Sequence, residues 1–252
     1  MTARAPGFLS ARPRRLWAEI GAAPGDPLEV RPIATGPGAR WLNRVAPVGA
    51  PPYRGTVLRM HGEIKLGRWQ PFTAEQVISP TGFLWAARAG RFPVSIRGHD
   101  LFWTGGGELD WRLFGVFPVM RRSDEDVWRS AAGRHAAELL VFAPWFGRST
   151  HVTWAEGPDG NAQATVALGR FVHRISLHLD TDGRLLDLAF LRWGDPGDGV
   201  FREERFGVVF ESEIRVEDHV LPGSFSAGWW PGTDRWAEGE FFRCVIDDAE
   251  FF

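Results

Sequence analysis

The chain has 252 residues, 44% of them hydrophobic, and a formal net charge of −2 with both signs spread along the sequence. This balance gives no electrostatic argument for a nucleic-acid partner or for an anionic membrane surface. The single cysteine, Cys244, excludes an intramolecular disulfide framework and a Cys-based zinc site. A content of 13 Trp and 19 Phe against one Tyr favours dry burial of aromatic rings, in a core or in a pocket.

Residues 1–55 are expected to be an attachment to the main fold. Arg15–Ala22 and Arg40–Val45 are predicted to be short helical segments, and Gly25–Gly38 is a Pro/Gly-rich linker. Met1–Glu19 contains no continuous apolar stretch, so neither a signal peptide nor a transmembrane span is predicted. We therefore expect a cytoplasmic protein without membrane insertion.

From Thr56 onwards the hydrophobic pattern has a period of two, which is typical of strands with one buried and one wet face. Gly, Pro and Asp turn signals divide the region into eleven or twelve strands. The predicted strands are Thr56–Leu66, Trp69–Ser79, Phe83–Ala89, Val94–Trp103, Glu108–Phe114, His151–Trp154, Ala162–Leu168, Val172–Leu179, Leu185–Trp193, Phe206–Val216, Gly223–Trp230 and Phe241–Ile246. Strands and helices do not alternate, which argues against a parallel α/β fold.

One long helix, Ser123–Ala143, interrupts the strands. Ser123 is the expected N-cap, the acidic residues after it suit the positive end of the helix dipole, and Pro144 ends the helix. Its apolar stripe consists of Trp128, Ala131, His135, Leu139 and Phe142. We expect residues 56–252 to form a single mainly β domain with minor α content. In this domain a large curved antiparallel sheet makes a half-barrel, and the helix covers its concave face.

Several short segments resemble the motifs of an uncharacterised bacterial domain family. They are Gly62–Gly67, Pro71–Gln76, Arg192–Pro196, Gly232–Arg235 and Gly239–Phe242, and together they cover roughly Arg40–Asp248. The resemblance implies a half-barrel like that of the periplasmic lipoprotein carriers, with helices plugging a hydrophobic concave side. It implies a lipophilic cavity and no particular chemistry. Because no export signal is predicted, transport between membranes is not inferred.

Four polar residues fall on the apolar faces of predicted strands: Gln76, Asp100, His173 and Arg192. A buried polar group costs roughly 1–3 kcal/mol unless it is paired, so these exceptions need a reason. We predict that the four converge in the hollow, where they orient a ligand carboxylate or carbonyl or perform acid–base chemistry. Two alternatives are an inert ion pair between Asp100 and Arg192, and a β-bulge that reverses the face assignments.

A second constellation is the Trp-rich segment Trp229–Trp236, in which indoles surround a Gly-centred turn. It is predicted to form the aromatic rim of the pocket, with Asp234 and Arg235 at the mouth. The alternative is a turn in which Asp234 bonds local backbone while the tryptophans cover the sheet edge. The complete set of predicted ligand-binding residues is Gln76, Trp85, Trp111, Trp128, His135, Trp193, Trp229, Trp230, Asp234 and Arg235.

These patterns favour a protein that binds a hydrophobic small molecule, such as a lipid-, polyketide- or terpenoid-like compound. The alternative is a cofactor-independent cyclase or isomerase of secondary metabolism, in which Asp100, His173 and Arg192 are catalytic. A third possibility is an interaction domain with a solid interior, which a pocket of several hundred cubic ångströms would exclude. No motif indicates a cofactor, a metal or a covalent nucleophile. The sequence predicts no oligomeric state.

Overall fold

The computed structural model of the protein describes residues 4–22, 29, 31, 35–91 and 93–252. Thirteen strands form one antiparallel sheet in the order β6-β5-β4-β3-β2-β1-β13-β12-β11-β10-β9-β8-β7. The strands are β1 (Thr56–Leu66), β2 (Arg68–Ser79), β3 (Gly82–Arg91), β4 (Val94–Trp103), β5 (Gly106–Leu113), β6 (Phe117–Arg122), β7 (Val152–Glu156), β8 (Ala162–Leu168), β9 (Phe171–Leu179), β10 (Leu185–Gly194), β11 (Arg202–Val216), β12 (His219–Trp229) and β13 (Glu240–Phe251). The predicted mainly β, antiparallel fold is confirmed.

Four α-helices occur in the described part of the chain: α1 (Ala11–Ala22), α2 (Pro37–Val45), α3 (Glu125–Phe142) and α4 (Trp236–Gly239). The predicted N-cap of α3 is wrong by one residue. Asp124, not Ser123, caps the helix, because its carboxylate accepts a hydrogen bond of 3.1 Å from the backbone N–H of Val127. Most of the predicted linker Gly25–Gly38 lies outside the described residues.

Strand β6 was not predicted, and its exposure explains why. All of its residues except Arg122 are exposed, so no buried face imposes an alternating pattern on the sequence. Pro118 also lacks the N–H that a central strand would need, which suits an edge strand. Strand β6 therefore adds an edge to the sheet that leaves no burial pattern in the sequence.

The sheet is curled around α3. This helix packs against β2, β4 and β5 in one arm of the sheet and against β8, β9, β10 and β12 in the other. The outermost strands, β6 and β7, are not paired with each other, so the sheet is a half-barrel rather than a closed barrel. Helix α3 is consequently buried on both sides: His135, Leu139 and Phe142 of the predicted stripe are buried, and so are Ala132 and Ala136.

The apolar core of the described residues forms two clusters on opposite faces of the sheet. The larger cluster fills the concave side and includes α2 and α3. The smaller cluster lies on the convex side, where Leu16, Trp17 and Ile20 of α1 pack against residues of β2 and β3. Both segments of the N-terminal region thus contact the sheet. No helix among these residues is both long and apolar enough to cross a bilayer.

Candidate functional site

A chamber of about 180 Å³ lies in the hollow, between α3 and the central strands. Most of its wall is apolar: it is lined by Met60, Ile64, Trp85, Ala137, Val141, Phe142, Leu188, Phe206, Val208, Phe210, Phe225, Ala227, Phe241 and Phe242. Five polar side chains share this wall: Gln76, Asp100, Arg134, Glu138 and Arg192. The chamber is therefore an apolar space with one compact polar patch.

Four of these polar side chains satisfy one another in a hydrogen-bonded network. Arg134 donates to Asp100 over 2.9 Å and to Glu138 over 2.6 Å. The second oxygen of Asp100 accepts from Trp111 Nε1 at 2.9 Å, and that of Glu138 accepts from Gln76 Nε2 at 2.6 Å. Each carboxylate oxygen thus receives one donor. Burial alone would lower the pKa of Arg134, but Glu138 and Asp100 outweigh it and raise that pKa.

The fifth polar side chain of the chamber, Arg192, does not take part in this network. Its Nε lies 3.3 Å from the Ser130 carbonyl oxygen and its Nη2 3.4 Å from the Ser130 hydroxyl, both long hydrogen bonds. The guanidinium lies 4.7 Å from the centre of the Phe206 ring, and no carboxylate of the described residues lies within 4.0 Å of it. Burial, followed by the charge of Arg134, lowers the pKa of Arg192 to about 10, so it stays protonated at neutral pH. The alternative of an inert Asp100–Arg192 ion pair is not realised, because Asp100 pairs with Arg134.

His173 on β9 packs against α3, and His135 belongs to α3 itself; neither side chain lines the chamber. The Cε1 atom of His173 lies close to Gly133 of α3, and its Nε2 is buried without a hydrogen-bond partner among the described residues. His135 is fully buried against the rings of Phe83 and Phe102. Burial lowers the pKa of His173 to about 4 and that of His135 to about 3. Both imidazoles are therefore neutral at pH 7.

These two histidines predict a loss of stability in mild acid. An unfolded histidine has a pKa of about 6.5, so below that pH the unfolded chain binds more protons than the folded one. Each histidine then lowers the free energy of unfolding by about 1.4 kcal/mol per pH unit, or about 2 kcal/mol between pH 6.5 and pH 5. Urea denaturation across this range measures the slope, and H173N should reduce it. H178N, which changes an exposed histidine on the same strand, serves as the comparison that separates a buried position from an exposed one. An unchanged slope in H173N would contradict the assignment.

Next to the chamber, strands β9 and β10 separate and leave a wedge-shaped opening, the β9–β10 cleft. Their ladder ends at the pair Ala189–Ser176, and beyond it each strand pairs only with its outer neighbour. The cleft has a volume of about 680 Å³ and is lined by Arg129, Arg170, Phe171, Val172, His173, Arg174, Ser176, Ala189, Phe190, Leu191, Trp193, Glu203 and Arg205. Four arginines and the exposed Val172 and Leu191 make it polar and solvent-accessible, and it reaches from the convex face to Arg129 of α3.

The predicted site residues divide between these places. Gln76, Trp85, Asp100 and Arg192 line the chamber, whereas His173 and Trp193 lie at the cleft. Trp111 is buried behind Asp100, to which it donates its indole N–H. Trp128 packs edge-on against Phe171 at 5.4 Å, and His135 belongs to the core. Four of the predicted site residues therefore line the chamber, and the others lie outside it.

The predicted aromatic rim does not line the chamber. Trp229 is buried behind Phe206, at 5.2 Å between ring centres, and Trp230 lies beneath the guanidinium of Arg235 at 3.5 Å. Asp234 and Arg235 are exposed. In the turn itself the hydroxyl of Thr233, not Asp234, donates to a backbone carbonyl.

Two central residues of the site, Arg134 and Glu138, were not among the predicted residues. They are four positions apart on α3, with Ser130 one turn earlier, and this spacing places all three on one face of a helix. The sequence signal was therefore an i, i+4 Arg–Glu pair on a helix that was already predicted to enter the hollow.

Fold and chamber together define a class of protein: an antiparallel half-barrel with one helix in its hollow. Residues 36–251 match the model of a family of unknown function, DUF6920. The chain belongs to this family, which confirms the resemblance expected from the short motifs. No curated protein matches the chain.

Two solved structures with similar folds come from bacteria. One is a domain from Vibrio parahaemolyticus described as an outer membrane lipoprotein-sorting protein, with 9% identity and a TM-score of 0.40 over 79% of this chain and 85% of that one. The other is a LolA superfamily protein from Nitrosomonas europaea, with 9% identity and a TM-score of 0.45 over 87% of this chain and 94% of that one. Likeness at this level carries no functional conclusion.

Proposed function

We propose that this protein binds a hydrophobic small molecule in the chamber between α3 and the sheet. The observation that supports this most is an apolar space of about 180 Å³ whose polar groups, apart from Arg192, already hydrogen-bond one another or Trp111. An apolar cavity of about 150 Å³ is large enough to hold benzene. The chamber therefore encloses a ring-sized or short-chain portion of a lipid-, polyketide- or terpenoid-like ligand. Pockets that enclose a whole drug-sized molecule are larger, at about 300–1,000 Å³.

Arg192 supplies the polar contact for such a ligand. Its guanidinium has five N–H donors, and among the described residues it makes two hydrogen bonds, both long and both to Ser130. A buried charge with this few partners gains from a further acceptor. A carbonyl or carboxylate oxygen of the ligand is such an acceptor, with the apolar part of the molecule lying against Phe206 and the other aromatic rings.

The geometry favours binding over catalysis. Asp100 and Glu138 are both ion-paired with Arg134, so a proton taken up by either carboxylate would cost that ion pair, which makes them poor general bases. The observation that favours the alternative, a cofactor-independent cyclase or isomerase, is the neutral His173 with its unpartnered Nε2. That imidazole lies at the cleft and not on the chamber wall. The cytoplasmic location and the role in secondary metabolism remain predictions.

The test is a fluorescence titration of the purified, delipidated protein with N-phenyl-1-naphthylamine, a neutral lipophile that fluoresces in apolar surroundings. We expect saturable binding of one equivalent, with a Kd on the order of 1–10 μM. Native mass spectrometry of freshly purified protein should also show a co-purified lipophile. No saturable binding up to about 100 μM would overturn the proposal and favour an interaction domain with a solid interior.

A further inference from the structure

The hairpin of β5 and β6 ends in a cluster of exposed apolar side chains. Thirteen large hydrophobic side chains are exposed among the described residues, and five of them lie between residues 114 and 120. They are Phe114, Val116, Phe117, Val119 and Met120, with exposed fractions from 47% to 65%. Val94, 57% exposed, lies at the same end of the sheet, because the Phe114 N–H donates to the carbonyl of its neighbour Ser95. We call Val94 and residues 114–120 the hairpin tip.

The hairpin tip projects from the body of the protein. Phe117 to Arg121 are exposed on both faces of β6, so this edge strand has neither a core beneath it nor a cover above it. Soluble proteins usually scatter exposed apolar residues singly, and a contiguous patch of them marks an interaction surface. The free edge of β6 is therefore an unusual place for five large apolar side chains.

The turn gives a second indication that these side chains are selected for exposure. Phe114 has a φ of 54° and Gly115 a φ of 74°, both in the left-handed region. Glycine adopts this conformation without strain, and Asn or Asp with little, whereas a phenylalanine there is strained. The chain keeps a large aromatic ring at a solvent-exposed position where a small polar residue would fold more easily.

Four arginines, which we call the arginine collar, lie next to the hairpin tip. Arg91 pairs with Val94 and Arg112 with Pro118, Arg97 lies beside Gly115, and Arg121 follows Met120 on β6. Asp110 forms ion pairs with two of these arginines, at 2.9 Å from Arg112 and 3.9 Å from Arg121. Arg91 and Arg97 form no ion pair among the described residues, and the side chain of Arg97 lies beside Gly115. The tip is thus locally basic, although the whole chain carries a net charge of −2.

We propose that the hairpin tip docks this protein onto the surface of an anionic lipid bilayer. Its apolar side chains enter the boundary between headgroups and acyl chains, and the arginine collar contacts lipid phosphates. A second copy of the chain fits the tip less well, because two tips in contact would bring their arginine collars together. Docking of this kind is peripheral and needs no membrane-spanning helix.

Vesicle flotation tests the proposal with the full chain. We expect co-flotation with vesicles of 30% phosphatidylglycerol in phosphatidylcholine, and binding at least about tenfold weaker to pure phosphatidylcholine. The variant F117S/V119S should lose about tenfold or more in affinity for the anionic vesicles. R91Q/R121Q should weaken binding by a similar factor and reduce its dependence on salt.

The matched control is V48S/V200S, which removes two exposed valines outside the tip and should bind vesicles as the unmodified protein does. Thermal unfolding of every variant confirms that the fold is retained. Equal binding to neutral and anionic vesicles, or unchanged binding by F117S/V119S, would overturn the proposal. Sedimentation equilibrium completes the test. A dimer that F117S/V119S converts to monomer, without any vesicle binding, would assign the tip to self-association instead.

Discussion

Replacing Arg134 by alanine is expected to destabilise the protein by about 3–5 kcal/mol. Arg134 is the one cation that bonds both Asp100 and Glu138, and the side chains of all three are at most 20% exposed. Its removal leaves two carboxylates partly buried without a cation, and it also removes the guanidinium from above Phe83, at 4.6 Å. Urea denaturation followed by tryptophan fluorescence measures the loss.

Two further variants separate the charge effect from a general effect on α3. Arg129 lies on the same helix and forms a more exposed ion pair with Glu203 of β11. R129A removes that pair and should cost no more than about 1 kcal/mol. The triple variant R134M/D100N/E138Q removes all three charges together and should recover a large part of the loss, because no buried charge is left unpaired. A loss in R134A no larger than that in R129A would show that the network contributes little.

Val208→Trp is expected to lower the affinity for N-phenyl-1-naphthylamine at least about tenfold. Val208 lies on β11 with its side chain in the chamber wall, and an indole in its place occupies much of a space of about 180 Å³. Overpacking of this kind usually costs about 1–3 kcal/mol, so the variant should still fold. Titration at a temperature well below the measured Tm gives the affinity.

The neighbouring residue provides the control. Val209 is on the same strand but faces the convex side, where it is 37% exposed, so Val209→Trp adds the same bulk without entering the chamber. It should bind the probe like the unmodified protein. If both variants bind equally well, the ligand lies elsewhere and the chamber is not the binding site.

The period-two pattern predicted the part of the site that lies on regular strands. Gln76 and Asp100 belong to β2 and β4, whose ladders with β3 run without a bulge, so their faces follow from simple alternation. In β10 the register shifts between Leu185 and Asp187. The shift buries Leu185 in place of the expected Leu186 and leaves the face of Arg192 unchanged.

The rest of the site depends on tertiary geometry that a strand pattern does not contain. Arg134 and Glu138 enter the chamber because α3 is enclosed by both arms of the sheet, and its rotation about its own axis is fixed by packing at Gly133 and elsewhere. The Trp229–Trp230 turn was mispredicted for a different reason. Trp230 has a φ of 58°, in the left-handed region, and no sequence rule predicts a tryptophan in that conformation.

The interrupted ladder at the β9–β10 cleft divides the curved wall into two panels. Ten strands, from β6 to β10 in sheet order, form one panel, and β9, β8 and β7 form the other. Four residue pairs and the contacts of α2 and α3 hold the panels together. A swing of the smaller panel therefore breaks few interstrand hydrogen bonds, although it also disturbs the packing of both helices. Phe190 lies just beyond the last of these residue pairs, and its ring is 5.7 Å from that of Phe206 in the chamber wall. The interrupted ladder is therefore one aromatic contact away from the chamber.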